Sequence, residues 1–170
     1  MSDWVCQPLA KHQDRTSFRC GVSELDDYLQ HRASQDVRRL AAAVFVLVPE
    51  DQPQRIAGFY SLSSASIILD ELPAELAKAL PRYPLVPAVL LGRLARDVNF
   101  PGVGRLLLLD ALARSLRHAE QVAAAAVLVD AKNENARQFY AKYGFQAVAL
   151  DSRRMFLPMK TVAKLLETRG

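Results

Sequence analysis

Two glycines at the start of a helical pattern carry the first chemistry in this chain. Asn99-Phe100-Pro101-Gly102 is turn chemistry, and from Val103 the residues Leu106, Leu109, Leu112, Ala113 and Leu116 recur at helical spacing. Gly102 and Gly104 therefore stand at the mouth of a helix. Backbone N–H groups without intrahelical partners and the positive end of the helix dipole make an anion site there, and glycine lets a phosphate come close. The Walker pattern asks for Lys and Ser/Thr after its last glycine, where Arg105 and Leu106 stand. A dinucleotide fingerprint asks for glycine at position 107, which is leucine. The same residues also suit a plain strand–turn–helix with glycines for the turn. Arg32, Arg38 and Arg39 are a second resource, a candidate basic patch or simply a solvated face.

A strand must lead into this turn. Ala88–Asp97 is mostly apolar and alternates poorly, the pattern of a strand buried on both faces. Upstream, WVCQPLA reads as a first strand. Ser23 reads as the N-cap of a helix, with Asp26 in a loose capping-box relation, and the polar run to Arg39 either continues or ends it. Ala43–Val48 and Arg55–Ile68 read as strands joined by a hairpin-like connection over Glu50–Gln54. Pro73–Leu80 reads as a short helix with proline in its first turn. Downstream, Ala123–Asp130 reads as a buried strand and Asn133 as the cap of a helix over Glu134–Tyr143 that stops at Gly144. Phe145–Leu150 and Arg154–Met159 follow as an antiparallel pair of strands, and Thr161–Glu167 as a terminal helix. The sum is a mixed α/β domain.

The 170 residues suit a single domain spanning 1–170. With 51% hydrophobic and 8% aromatic residues, a sizeable core can be buried without staples. The formal charge of +4 is a mild bias toward anionic partners. Cys6 and Cys20 match neither a metal-type spacing nor a disulfide framework, so two reduced thiols and no metal are expected. There is no basic-then-apolar leader and no apolar run of membrane-spanning length, so a soluble cytoplasmic protein is expected, without membrane contact.

Asp130–Phe145 reads DAKNENARQFYAKYGF. Asn133, Ala136, Tyr140, Gly144 and Phe145 fill every position of the pattern Asn-x-x-Ala-x-x-x-Tyr-x-x-x-Gly-Phe. Beside the Gly102–Gly104 turn, this resembles the GNAT superfamily of acyl-CoA N-acyltransferases. The family's phosphate loop, Gln/Arg-x-x-Gly-x-Gly/Ala, falls on Pro101, Gly104 and Leu106, of which the middle position matches. Three more blocks, FRCGVSELDDYL (Phe18–Leu29), GFYSLSSAS (Gly58–Ser66) and LGRLA (Leu91–Ala95), resemble the TacT-like acetyltransferase toxins of bacterial toxin–antitoxin pairs. The likeness covers about residues 9–160.

The resemblance implies a single-domain GNAT fold, a mixed twisted sheet splayed between its fourth and fifth strands and flanked by helices. The co-substrate acetyl-CoA would lie in the splay. Its pantetheine would pair with Leu94, Ala95 and Arg96, and its pyrophosphate would meet Gly102, Val103, Gly104, Arg105 and Leu106. Asn133 would bond the pantetheine arm as well as cap its helix. Members of the toxin group acetylate the free amino group of the amino acid on charged tRNA, which blocks translation. A ribbon-helix-helix antitoxin neutralises them, and homodimers are common. The same substrate, antitoxin and assembly are expected here.

Amide formation from a thioester needs a neutral amine and a stabilised leaving thiolate. An α-amine, with a pKa near ~8, is partly neutral at cellular pH, whereas a lysine amine near ~10.4 needs a base. His12, His31 and His118 all lie outside the matched blocks, which suits an α-amine acceptor. For the leaving group the resemblance gives Tyr140 the role of proton donor, and a phenol with a pKa near ~10 can fill it. On periodicity alone Tyr140 belongs to an apolar stripe with Ala136, Phe139 and Tyr143. Arg32, Arg38, Arg39, Arg82, Arg93 and Arg96 are the candidates for the tRNA side, since Lys and Arg meet phosphate backbones. Two other readings stand beside this one. One is a GNAT that acetylates a small amine or a protein N-terminus. The other is a catalytically degenerate GNAT that acts as a binding protein.

Overall fold

The computed structural model describes residues 3–169. Its strands are β1 (Trp4–Pro8), β2 (Ala43–Pro49), β3 (Gly58–Ile68), β4 (Leu85–Arg96), β5 (Ala126–Asp130), β6 (Gln146–Ala147) and β7 (Arg154–Pro158). Its helices are α1 (Ser23–Asp27), α2 (Ala33–Arg38), α3 (Ala74–Ala77), α4 (Val103–Val122), α5 (Glu134–Lys142) and α6 (Met159–Arg169). The strands form one sheet in the order β1-β2-β3-β4-β5-β7-β6. Strands β4 and β5 run parallel; the pairs β1–β2, β2–β3, β5–β7 and β6–β7 are antiparallel. Among the described residues no helix is long and apolar enough to cross a membrane.

The chain divides into two compact units, and β3, β4 and α4 each contribute to both. The first holds the residues up to Ser63 together with Arg93–Ala111. Its core gathers Phe18, Tyr28, Leu29, Val44, Val46, Val48, Ile56, Phe59 and Ala95. The β2–β3 register, Ala43↔Leu62 to Leu47↔Gly58, turns Val44 and Val46 inward, as period-two alternation requires. Gly58 is there because nothing larger fits: a Cβ would come within 2.5 Å of the Leu107 side chain and 3.0 Å of the Ala95 carbonyl. Near it, the buried Tyr60 hydroxyl donates to Asp110 on α4 at 2.6 Å.

The helix expected from Ser23 does continue toward Arg39, but it is interrupted. Ser23 is its first helical residue rather than its cap, Val22 holds the cap position without a side-chain bond, and Asp26 instead accepts the Cys20 N–H at 3.0 Å. Between α1 and α2 lies one π-helical turn, Tyr28–Arg32. A π turn takes in an extra residue, so the eighth residue on stands where the seventh would in an unbroken helix. Tyr28 thus reaches Asp36. At the end of α2 the Leu40 N–H bonds the Val37 carbonyl and the Ala41 N–H bonds the Asp36 carbonyl, a Schellman closure with leucine at the left-handed position, φ 59°.

The second unit holds Ser64–Gly92 and the chain from Leu112 onward. Its core gathers Ile67, Leu80, Val86, Ala88, Ala126, Leu128 and Phe156. The β4–β5 register runs from Ala88↔Ala126 to Leu91↔Val129, so β4 continues through residues 92–96 beyond the last pair. Pro73 occupies the N-cap of α3. The strand expected over residues 145–150 is only Gln146–Ala147, because the chain turns back through a Ser152 N–H to Ala149 carbonyl bond with Asp151 at φ 62°. Helix α6 starts two residues before the expected Thr161, where the Met159 N–H bonds the Ala125 carbonyl at 2.8 Å.

Candidate acetyl-transfer site

In the first unit, β4 delivers the chain to the turn and the turn opens α4. Gly102 precedes Val103, the first residue of α4, with φ +89°, a conformation that favours glycine, and a Cβ on it would meet nothing within 4 Å. The N–H groups of residues 103–105 lie ahead of the first intrahelical bond and have no acceptor within the helix. They belong to a helix of 20 residues, long enough for a full dipole. Open space in front of Gly102 and a set of uncommitted amides fit a pyrophosphate. Pro101 lies before the cap, so its missing N–H is not one of the first-turn donors. Leu106 is half-buried.

The turn is pinned by a residue to which the sequence reading gave no role. Asp97 is fully buried. Its carboxylate accepts the N–H of Arg19 at 3.0 Å and of Asn99 at 2.8 Å, and lies 3.8 Å from an Arg55 nitrogen. Its own N–H bonds the Ala57 carbonyl, and its carbonyl accepts the Phe100 N–H and, at 3.3 Å, an Arg96 nitrogen. Phe100 in turn meets the edge of Trp4 and lies under the Arg55 guanidinium. Leu94 is half-buried, Ala95 is buried and Arg96 is exposed on the strand that leads here.

Among the candidate arginines of this unit, Arg32, Arg38 and Arg39 are exposed. Arg93 differs. It is half-buried, with its guanidinium carbon 3.5 Å above the Tyr28 ring. The Tyr28 hydroxyl donates to Asp36 Oδ2 at 2.8 Å. Burial, reinforced by that bond, raises the Tyr28 phenol to about 12.

The second unit carries the matched motif. Asn133 caps α5, its Oδ1 accepting the Ala136 N–H at 2.8 Å, and borders a cavity of about 440 Å³ with Arg137 and Arg153. Tyr140 is 7% exposed, packed against Phe139 and Phe145 at ring distances of 5.3 and 5.4 Å. Among the described residues its hydroxyl has no hydrogen-bond partner. Burial alone raises its pKa above the ordinary phenol value. Helix α5 closes with the same Schellman pair as α2, here with Gly144 at φ 99°. Arg82 is exposed and lines an open cavity of about 570 Å³ with Asp70, Lys78 and Tyr83.

No family model matches the chain. It is 34% identical over 155 residues to the tRNA-acetylating toxin of Mycobacterium tuberculosis, covering 90% of each chain. It is 30% identical over 172 residues to the probable toxin TacT of Sinorhizobium fredii, covering 95% of this chain and 94% of that one. Among solved structures, a tyrosine-to-phenylalanine mutant of KacT superposes with a TM-score of 0.88 at 28% identity, covering 95% and 98% of the two chains. AtaT complexed with acetyl-methionyl-tRNAfMet gives 0.86 at 26% identity, covering 96% and 99%. AtaTR bound with AcCoA gives 0.83 at 26%, covering 96% and 98%. The shared architecture, with its parallel β4–β5 pair, is that of GNAT N-acetyltransferases. Within that class, likeness at these identities over nearly the full length of both partners is decisive: the chain belongs to the family of TacT-type acetyltransferase toxins.

Proposed function

We propose that this chain transfers the acetyl group of acetyl-CoA to the α-amino group of the amino acid on charged tRNA, and so blocks translation as the toxin of a toxin–antitoxin pair. The observation that carries the reading is its 34% identity, across 90% of both chains, with a tRNA-acetylating toxin. It works in the cytoplasm as one domain spanning residues 1–170, paired in a homodimer, and a ribbon-helix-helix antitoxin neutralises it. The complexes of AtaT with acetylated tRNA and of AtaTR with AcCoA support the same substrates and partner class.

Acetyl-CoA supplies the activated thioester carbonyl. The turn at Gly102 and the amides of residues 103–105 hold its pyrophosphate, Leu94, Ala95 and Arg96 line its pantetheine, and Asn133 bonds the arm. Arg32, Arg38, Arg39, Arg82 and Arg93 meet the RNA. The α-amine of an aminoacyl ester is partly neutral at cellular pH and needs no strong base. As the new C–N bond forms and the C–S bond breaks, Tyr140 gives its proton to the departing sulfur, the amine nitrogen releases one of its protons to water, and that proton restores the phenol. The phenol is protonated at neutral pH at its ordinary pKa, and among the described residues no protein acceptor claims that proton.

Mass spectrometry of total charged tRNA incubated with the protein and acetyl-CoA tests this directly. The expected result is an acetyl group on one class of aminoacyl-tRNA, lost with Tyr140→Phe. Binding of acetyl-CoA without any tRNA acetylation would move the acceptor to a small amine or a protein N-terminus. Absence of both would leave a binding protein.

A further inference from the structure

Arg93 differs from the other candidate arginines in how it is held. It lies on β4 just before the stretch assigned to pantetheine, and one face of its guanidinium is covered by Tyr28. Tyr28 is itself 3% exposed, stacked on Phe59, and anchored at its far end by the bond to Asp36. That anchor depends on the π-helical turn Tyr28–Arg32, which brings the eighth residue on into line. Among the described residues the guanidinium of Arg93 makes no hydrogen bond and no ion pair. The ring under Arg93 is already packed, and an apolar side chain would cover it without bringing a charge onto a half-buried strand. An arginine fixed by its face, with its edge donors uncommitted, has the geometry for bidentate contact with a tetrahedral oxyanion.

We propose that Arg93 is a phosphate-binding fork, with Tyr28 and Asp36 as the positioning residues that fix its plane. Resting on the reading of the chain as a tRNA acetyltransferase with Arg93 on the RNA side, the phosphate is assigned to the RNA, and the nucleotide part of acetyl-CoA is the other source of the same chemistry that the test separates. The chemistry is the same in both cases: two parallel N–H···O bonds from a pre-oriented plane.

The test measures binding of uncharged tRNA and of coenzyme A, separately, to the wild type and to Arg93→Gln, Arg93→Lys and Tyr28→Phe, beside the KM and kcat of acetyl transfer. Arg93→Gln is expected to weaken one of the two ligands at least tenfold, with kcat less affected than KM. If the ligand is tRNA, the slope of log affinity against log salt falls by about one. If it is coenzyme A, tRNA binding and its slope stay as in the wild type. Arg93→Lys keeps the charge but loses the fork, and is expected to stay at least threefold weak. Tyr28→Phe keeps the stack, loosens the anchor, and is expected to raise the same KM by less than Arg93→Gln does. Free guanidinium ion is expected to restore part of the loss in Arg93→Gln. A folded Arg93→Gln that binds both ligands like the wild type overturns the proposal, as does full recovery by lysine. If the wild type binds both ligands yet acetylates no tRNA, the proposed reaction fails while the binding comparison still decides the role of Arg93.

Discussion

Two buried tyrosines, Tyr28 and Tyr140, share a residue type and a raised pKa but differ at the hydroxyl. Tyr28 donates to Asp36 and carries Arg93 on its ring, so both its polar end and its face are occupied. Tyr140 packs against the rings of Phe139 and Phe145, and its hydroxyl has no protein acceptor among the described residues. Burial raises both phenols, with hydrogen bonding adding to the effect only in Tyr28. The difference separates holding from reacting. A phenol whose proton is already committed fixes other groups in place. One whose hydroxyl has no protein acceptor has its proton free to pass to a departing group.

The largest effect that sharpens this contrast is on turnover. Tyr140→Phe is expected to lower kcat by about 10²–10⁴-fold with the melting temperature preserved, the usual worth of a general acid. Steady-state kinetics beside a thermal melt checks it, and an unchanged kcat would erase the distinction. Next comes the end of α5 that presents Tyr140. Gly144→Ala forces an L-residue into φ 99° and brings a Cβ to 3.4 Å from the Leu157 side chain. Chemical denaturation is expected to show a loss of about 1–2 kcal/mol. The third test is pH. Below pH 10 the folded and unfolded chains both keep the Tyr28 proton, and its stabilising contribution is complete. Between pH 10 and about 12 only the unfolded chain releases it, so stability falls as pH rises through that window. Tyr28→Phe is expected to flatten this fall in alkaline unfolding curves. The smallest effect on turnover is at Tyr143, the C-cap residue of α5, whose ring meets Phe139: Tyr143→Phe is expected to leave kcat within about twofold in the same kinetic assay.

Much of this was legible from local pattern. The strand from Ala43, most of the strands read over Ala88–Asp97 and Ala123–Asp130, the helix from Val103 and the Asn133 cap all follow from periodicity and cap chemistry, which act over a few residues. What escaped lies in contacts between distant segments. Asp97 ends an apolar run that reads only as a buried strand. Its role comes from Arg19, 78 residues away, and no spacing rule connects them. The pairing of Arg93 with Tyr28 escaped for the same reason, and the π-helical turn that aligns Tyr28 with Asp36 has no signature in residue type. Ser23 has cap chemistry yet stands as the first helical residue, and Asp26 holds the Cys20 amide instead of closing a capping box. The roles of Tyr140 and of the residues 103–106 came from resemblance to a family; their composition alone fits a packed stripe and an ordinary turn.

Helices α2 and α5 end with the same pair of backbone bonds, one on Leu40 and the other on Gly144. Leu40 is 92% exposed, so its side chain gains almost nothing from packing to offset a left-handed backbone. That position is an unused reserve of heat resistance. Leu40→Gly is expected to raise stability by up to about 1 kcal/mol, read as a higher melting temperature, less what the added freedom of the unfolded chain takes back. For anyone preparing the protein for crystallisation or long storage, this exposed loop offers a gain away from the buried residues assigned to the chemistry.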